Sequence, residues 1–157
     1  MGWDDLNVAL LAGLGLMLIS AGIEDIRRRE IANWKNAIIA LAAPLWWWSN
    51  GLSLWPDIAV QGALAGVVFA LFCVAFGFGW MGGGDVKLIG ALALWLPFQP
   101  LLAMLMAMSI AGGAITLAMI VDGRMRRNKG AVEVPYGVAI AVAGLLALRE
   151  PLLNQFG

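Results

Sequence analysis

Long apolar runs separated by short polar segments set the pattern of this chain. A bilayer-spanning helix takes about 20 predominantly apolar residues, within a range of roughly 17–25. Leu6 to Ile23, Ile58 to Trp80 and Pro100 to Val121 meet that length. Asn36 to Trp48, Val86 to Leu96 and Pro135 to Leu148 are shorter, but polar or Gly/Pro residues bound each of them, and each is needed to return the chain across the membrane. The pattern predicts an all-α polytopic membrane protein of about six transmembrane helices, with residues 1–157 as one integral membrane domain.

The basic residues test that count. With six spans, Arg27, Arg28, Arg29, Lys35, Lys87, Arg124, Arg126, Arg127 and Lys129 fall on one side, and only Arg149 on the other. Because Lys and Arg are retained on the inner side, the loops after the first, third and fifth helices are expected in the cytoplasm and both termini outside. Trp46, Trp47, Trp48 and Trp55 surround the outer connection "SNGLSLWPD" and read as an interfacial aromatic belt. Gly62 and Gly66 form a GxxxG in the third helix, and Gly112 and Gly113 give the fifth a small-residue face. Both read as close helix packing.

Composition sharpens the class. Hydrophobic residues make up 62% and charged residues 13%, against roughly 45–50% and about 25% in soluble domains. The formal net charge of zero is no guide to partners, because the basic residues are gathered in a few polar segments. No nucleic-acid partner is expected. The basic loop "DGRMRRNKGAVE" reads as a topology signal that could also meet anionic membrane lipid. Asp4 and Asp5 stand where a secretory signal would be positive, so the first apolar run is expected to be a retained helix. Cys73, the one cysteine, excludes an internal disulfide and is expected to serve packing. The absence of histidine removes His-based metal sites and Ser-His or Cys-His nucleophile pairs. Acid–base chemistry must come from carboxylates, lysines or Tyr136. No metal and no other cofactor is expected.

Two acids stand at the predicted cytoplasmic boundary. Asp25 ends the first helix in "SAGIEDIRRREIANW", and Asp85 opens the fourth in "WMGGGDVKLIGAL". Asp25 could be an interfacial ion-pair partner of Arg27, Arg28 and Arg29, and Asp85 a first-turn acid favoured by the helix dipole. The length of the fourth helix argues for more. From Gly84 to Leu96 it covers only about 20 Å of a hydrocarbon core about 30 Å thick. An acid opening such a helix beside a glycine break sits below the headgroups. Irregular backbone at that depth is tolerated only against protein or a water-filled cavity, and an intramembrane acid is a functional candidate. Two aspartates in one site repel, so that one is held protonated while the other is ionised. The ionised member can take a proton from water and the protonated one can polarise a peptide carbonyl.

At these residues the chain resembles the type IV prepilin peptidases, membrane aspartyl proteases with a GxGD motif. Gly82-Gly83-Gly84-Asp85 with Val86-Lys87-Leu88 carries that motif. Asp25, Arg27 to Arg29, Ile31 and Asn33 match the family's Asp, basic run and Ile-x-Asn, and Val134-Pro135-Tyr136-Gly137 is similar to its Pro-Tyr-Gly segment. The resemblance implies an aspartic endopeptidase of the bacterial cytoplasmic membrane that cuts the basic leader from a prepilin or pseudopilin. Its active site would face the cytoplasm, with Asp25 and Asp85 as the catalytic pair. Larger members carry an N-terminal domain with paired Cys-x-x-Cys motifs and methylate the new N-terminus. The early first helix and the absence of those cysteines make this chain look like the short form of Flp/Tad-type pilus systems, without methyltransferase activity or zinc.

The other motif residues have a functional and a structural reading each. Arg27, Arg28, Arg29 and Lys35 could steer an acidic group of the substrate, or simply hold the loop inside. Lys87 could snorkel to headgroups or lower the basicity of Asp85. Glu24 and Glu30 read as charge partners of the basic run. Asn33 could bond within the loop or cap the second helix, Pro135 suits a first helical turn, and Tyr136 could face the cleft or sit at the interface. Competing functions are a proton-coupled transporter using the two aspartates, for which no repeat is visible, and a non-catalytic subunit of a pilus or secretion machine. A presenilin-like protease would need a Tyr-Asp motif that is absent. A Ser-Lys peptidase finds Ser49 and Ser53 across the membrane from the lysines, and Ser20 and Ser109 without an evident lysine partner.

Overall fold

In the computed structural model the described residues are 3–126 and 136–149, and they form six α-helices. These are α1 (Trp3–Arg28), α2 (Asn33–Ser49), α3 (Ala59–Gly77), α4 (Gly83–Ala93), α5 (Phe98–Arg126) and α6 (Tyr136–Ala147). A short π-helical turn, Leu54–Ile58, leads into α3. Three segments, Asp4–Arg28, Leu54–Gly77 and Phe98–Val121, are long and apolar enough to cross a membrane. The predicted helices thus all exist, with their ends shifted by a few residues.

Local chemistry explains the ends. α1 has Asp4 and Asp5 in its first turn and Arg27 and Arg28 in its last, the order that complements the helix dipole. α2 closes with Gly51 at φ 68° and with bonds from Gly51 N–H to Trp48 C=O (3.0 Å) and from Leu52 N–H to Trp47 C=O (3.0 Å). α3 repeats the device with Gly79, whose N–H reaches Phe76 C=O at 2.8 Å while Trp80 N–H reaches Ala75 C=O at 3.0 Å. Both are glycine-closed Schellman ends, which satisfy carbonyls that a helix terminus leaves free.

The packing centres on α4, which contacts α2, α3 and α6, while α6 also packs on α1 and α5. Leu88, Ile89 and Leu92 of α4 are fully buried, against Leu18 of α1, Ile39 of α2 and Ile140 of α6 in one core. By contrast α3 and α5 present Val67, Leu71 and Val74, and Met106, Ile110 and Leu117, outward. Apolar side chains on the outside are what hydrocarbon, not water, accepts. Cys73 lies on this exposed side of α3 rather than in packing.

α4 is only 11 residues, so both of its ends must find partners inside the protein. At the C-terminal end Gln61 Nε2 donates to the carbonyls of Ala93 and Leu96, each at 2.7 Å, and Trp47 Nε1 to Leu94 at 2.8 Å. Trp95 Nε1 ties back to Ile39 C=O at 2.8 Å, and its ring stacks on Trp46. Trp46 and Trp47, expected in an aromatic belt, are instead half-buried tethers of α4. Trp48 and Trp55 do face outward. The GxxxG expectation also changes: a methyl group at Gly62 or Gly66 would meet nothing within 4 Å, so none of the described helices packs there.

Candidate active site

The N-terminal end of α4 opens on a cavity of about 370 Å³ lined by Asp25, Arg29, Glu30, Ile31, Asn33 and the run Gly82 to Asp85. The two acids singled out in the sequence therefore share one cavity. Both are buried, at 5% exposed for Asp25 and 8% for Asp85. Each is brought there by a different junction of the chain.

Asp25 lies in the last turn of α1. That helix ends because Arg29 takes a left-handed conformation, φ 58°, with its N–H on Asp25 C=O at 2.9 Å. The carboxylate meets the start of α6, where Val138 N–H donates to Asp25 Oδ2 at 3.2 Å. A helix N-terminus offers unpaired N–H groups and a positive dipole end to an anion. The approach requires Gly137, since a methyl group there would stand 2.8 Å from the Asp25 carboxyl carbon.

Asp85 sits in the first turn of α4, after Gly82 in extended conformation at the N-cap. A methyl group on Gly82 would stand 3.1 Å from Asp85 Oδ2, and one on Gly84 would stand 3.2 Å from Ile31 Cβ. The glycines thus let the carboxylate fold back over the turn and let the 29–32 loop lie against α4. Asn36 Nδ2 holds Gly84 C=O at 3.2 Å.

The basic run divides. Arg29 lines the cavity, whereas Arg27 and Arg28 are exposed outside its lining. Lys87 is exposed on α4. Its Nζ donates to Asn33 Oδ1 at 2.7 Å. Asn33 correspondingly does not cap α2, whose N-cap is Ala32 without a side-chain cap bond. Tyr136 does not line the cavity. Its ring lies on Gly112 of α5, where a methyl group would stand 2.8 Å from it. Pro135 lies outside the described residues.

Lys35 and Ser20 correct two expectations. Lys35 is buried, pairs with Glu24 at 2.8 Å, and donates to Ser20 Oγ at 2.7 Å and to Ser20 C=O at 3.2 Å. Ser20 therefore does have a lysine partner, and Glu24 pairs first with Lys35, with Arg28 of the basic run as a weaker charge neighbour. Glu24 also accepts from Ala32 N–H at 3.2 Å. With the three protons of the ammonium engaged, Lys35 is a clasp between α1 and α2, neither a substrate-steering cation nor a general base.

The chain is similar in sequence to known proteins. The model of the type IV leader peptidase family matches residues 11–117, which include both aspartates. This chain belongs to that family. Among its relatives, the prepilin leader peptidase/N-methyltransferase of Burkholderia pseudomallei (strain 1026b) is 32% identical over 120 residues, covering 69% of this chain and 38% of that protein. The protein of the same name from Aeromonas hydrophila is 36% identical over 95 residues, covering 57% of this chain and 32% of its own length. That of Pseudomonas aeruginosa is 33% identical over 97 residues, covering 59% and 32%. The chain thus matches less than two-fifths of each of these relatives. No solved structure matches it.

As a leader peptidase family member with apolar helices long enough to span, the chain is a multi-pass membrane protein. Among the described residues no three acidic or cysteine side chains are gathered as a metal site would need. What the cavity holds is two buried carboxylates on separate helices. Sequence reading passed over Gly137, Val138, Ile31 and Asn36 as site residues. The quoted motifs contained Gly137 and Ile31, but the Pro-Tyr-Gly segment drew attention to its tyrosine instead of its glycine.

Proposed function

We propose that this protein is an aspartic endopeptidase that removes the leader from a prepilin-like substrate, with Asp25 and Asp85 as the catalytic pair. The observation that carries the reading is the shared cavity: two buried carboxylates from motifs far apart in the chain, beside a glycine turn that admits a peptide backbone. One carboxylate, ionised, takes a proton from water. The other, protonated, gives its proton to the scissile carbonyl oxygen as the water oxygen bonds to the carbon. As the C–N bond then breaks, the first carboxyl passes its proton to the leaving amine and the second takes one back from a hydroxyl of the intermediate, leaving the new carboxyl group. No covalent intermediate is needed, and which aspartate begins as base is a property of the pair. Of the two activities in the relatives' name, two carboxylates serve the peptidase.

In this reading all six helices cross the bacterial cytoplasmic membrane, both termini are outside, and the cavity faces the cytoplasm. The distribution of Lys and Arg supports that orientation. The substrate then presents a soluble leader at the cavity, with its apolar helix in the bilayer.

The test is processing of a co-expressed prepilin in membranes by the intact protein and by Asp25→Asn and Asp85→Asn variants of equal abundance. Each variant is expected to lose at least about 100-fold in rate. A normal rate in either would sink the two-aspartate mechanism and bring forward a transporter or an assembly subunit.

A further inference from the structure

Beside the acid cavity runs a second feature, a groove of about 370 Å³ between α2 and α3, with α4 as its floor. Its lining includes Asn36, Gly62, Ala65, Gly66, Gly90 and Ala91. Gly62 and Gly66 are exposed and their faces unpacked. Small residues at this spacing allow another helix backbone to approach closely, and none of the described helices fills that place.

An independent observation concerns Asn36. The residue is 4% exposed, and while its Nδ2 is bonded to Gly84 C=O, its Oδ1 is buried without a hydrogen-bond partner. A buried acceptor without a donor is unfavourable and uncommon. Lipid acyl chains have no donor to offer. The first turn of a helix has free N–H groups.

The groove adjoins the acid cavity. Asn36 grips Gly84, which lines that cavity, and Lys87 of the groove binds Asn33 of the cavity. Both lie along α4: Asp85 is in its first turn at the cavity, and Gly90 and Ala91 follow further along the same helix in the groove.

Resting on the function proposed above, we infer that this groove receives the first turns of the substrate's apolar helix, just beyond the scissile bond, with Asn36 Oδ1 accepting one of its free N–H groups. The GxxxG wall then fits an α-helix rather than a loose chain, beside the Phe69 ring that lies on Gly90. Recognition of the membrane-embedded part would thus be separate from the chemistry at the aspartates.

The test compares two substrates in proteoliposomes: the full-length prepilin, and a soluble peptide that spans the cleavage site but lacks the apolar helix. Gly66→Leu fills the groove and is expected to lower the ratio of prepilin to peptide cleavage by about tenfold. Gly13→Leu, at another glycine with open space around it, should leave the ratio unchanged. A photoreactive residue at Gly62, combined with Asp85→Asn to hold the substrate, should crosslink to the first turns of the pilin helix. An unchanged ratio in Gly66→Leu, an equal loss on both substrates, or crosslinks only to lipid or to a second copy of this chain would overturn the groove assignment. None of these touches the aspartate reading. Failure of the intact protein to cut either substrate would instead remove the proposed function, and this inference with it.

Discussion

At its C-terminal end α4 is closed by neutral donors from its neighbours: Gln61 covers the carbonyls of Ala93 and Leu96, and Trp47 that of Leu94. At its N-terminal end the same helix opens on a cavity with two buried acids and glycines on three consecutive positions, while Asn36 satisfies Gly84 and keeps one atom unpaired. The closed end shows what a short helix needs in order to sit inside a membrane protein. The open end holds more polar groups than that need explains, and the surplus is where chemistry is to be sought. On the function proposed above, folding and chemistry are separated along a single helix of 11 residues.

The separation can be broken experimentally. The largest effect is expected at the open end from Gly137→Ala. Its new methyl group would stand 2.8 Å from the Asp25 carboxyl carbon and displace that carboxylate, so prepilin processing should fall by about 100-fold with near-normal abundance in the membrane. Processing at the normal rate would show that Asp25 need not stay against α6. Gln61→Leu at the closed end strips the donor from two carbonyls and is expected to cost about 3 kcal/mol of stability. This would be read as a lower thermal midpoint in detergent, with the rate per folded molecule retained. If that rate collapsed while stability held, the closed end would belong to the catalytic machinery after all. Trp47→Phe, which removes a single bond, should show the smallest change, about 1 kcal/mol in the same measurement.

Much of this was legible in the sequence, for identifiable reasons. Apolar runs bounded by polar or Gly/Pro residues predicted every helix. The predicted Pro100 to Val121, for instance, is found as Phe98–Arg126. Asp25 and Asp85 stood out because a carboxylate in an oily chain has few ordinary explanations. Helix rotation was not legible. α3 and α5 are apolar on all sides, so no stripe tells which face meets protein and which meets lipid. The faces of Gly62 and Cys73 were misjudged for that reason. Trp47 looked like a belt residue because its hydrogen bond is to a helix 47 positions away. The Ser20–Lys35–Glu24 clasp was hidden because it depends on how α1 and α2 lie against each other.

Ile31 carries one more consequence. It is buried, and methyl groups on Gly84 and on Gly137 would stand 3.2 Å and 2.8 Å from its side chain. One β-branched residue, stiff about its first torsion, is therefore wedged between the helix that bears Asp85 and the helix that cradles Asp25. It acts as a spacer between the starts of α4 and α6, in the lining of the cavity that holds both acids. The girth of one side chain thus bears on how closely those two helix starts can approach, and with them the shape of the cavity.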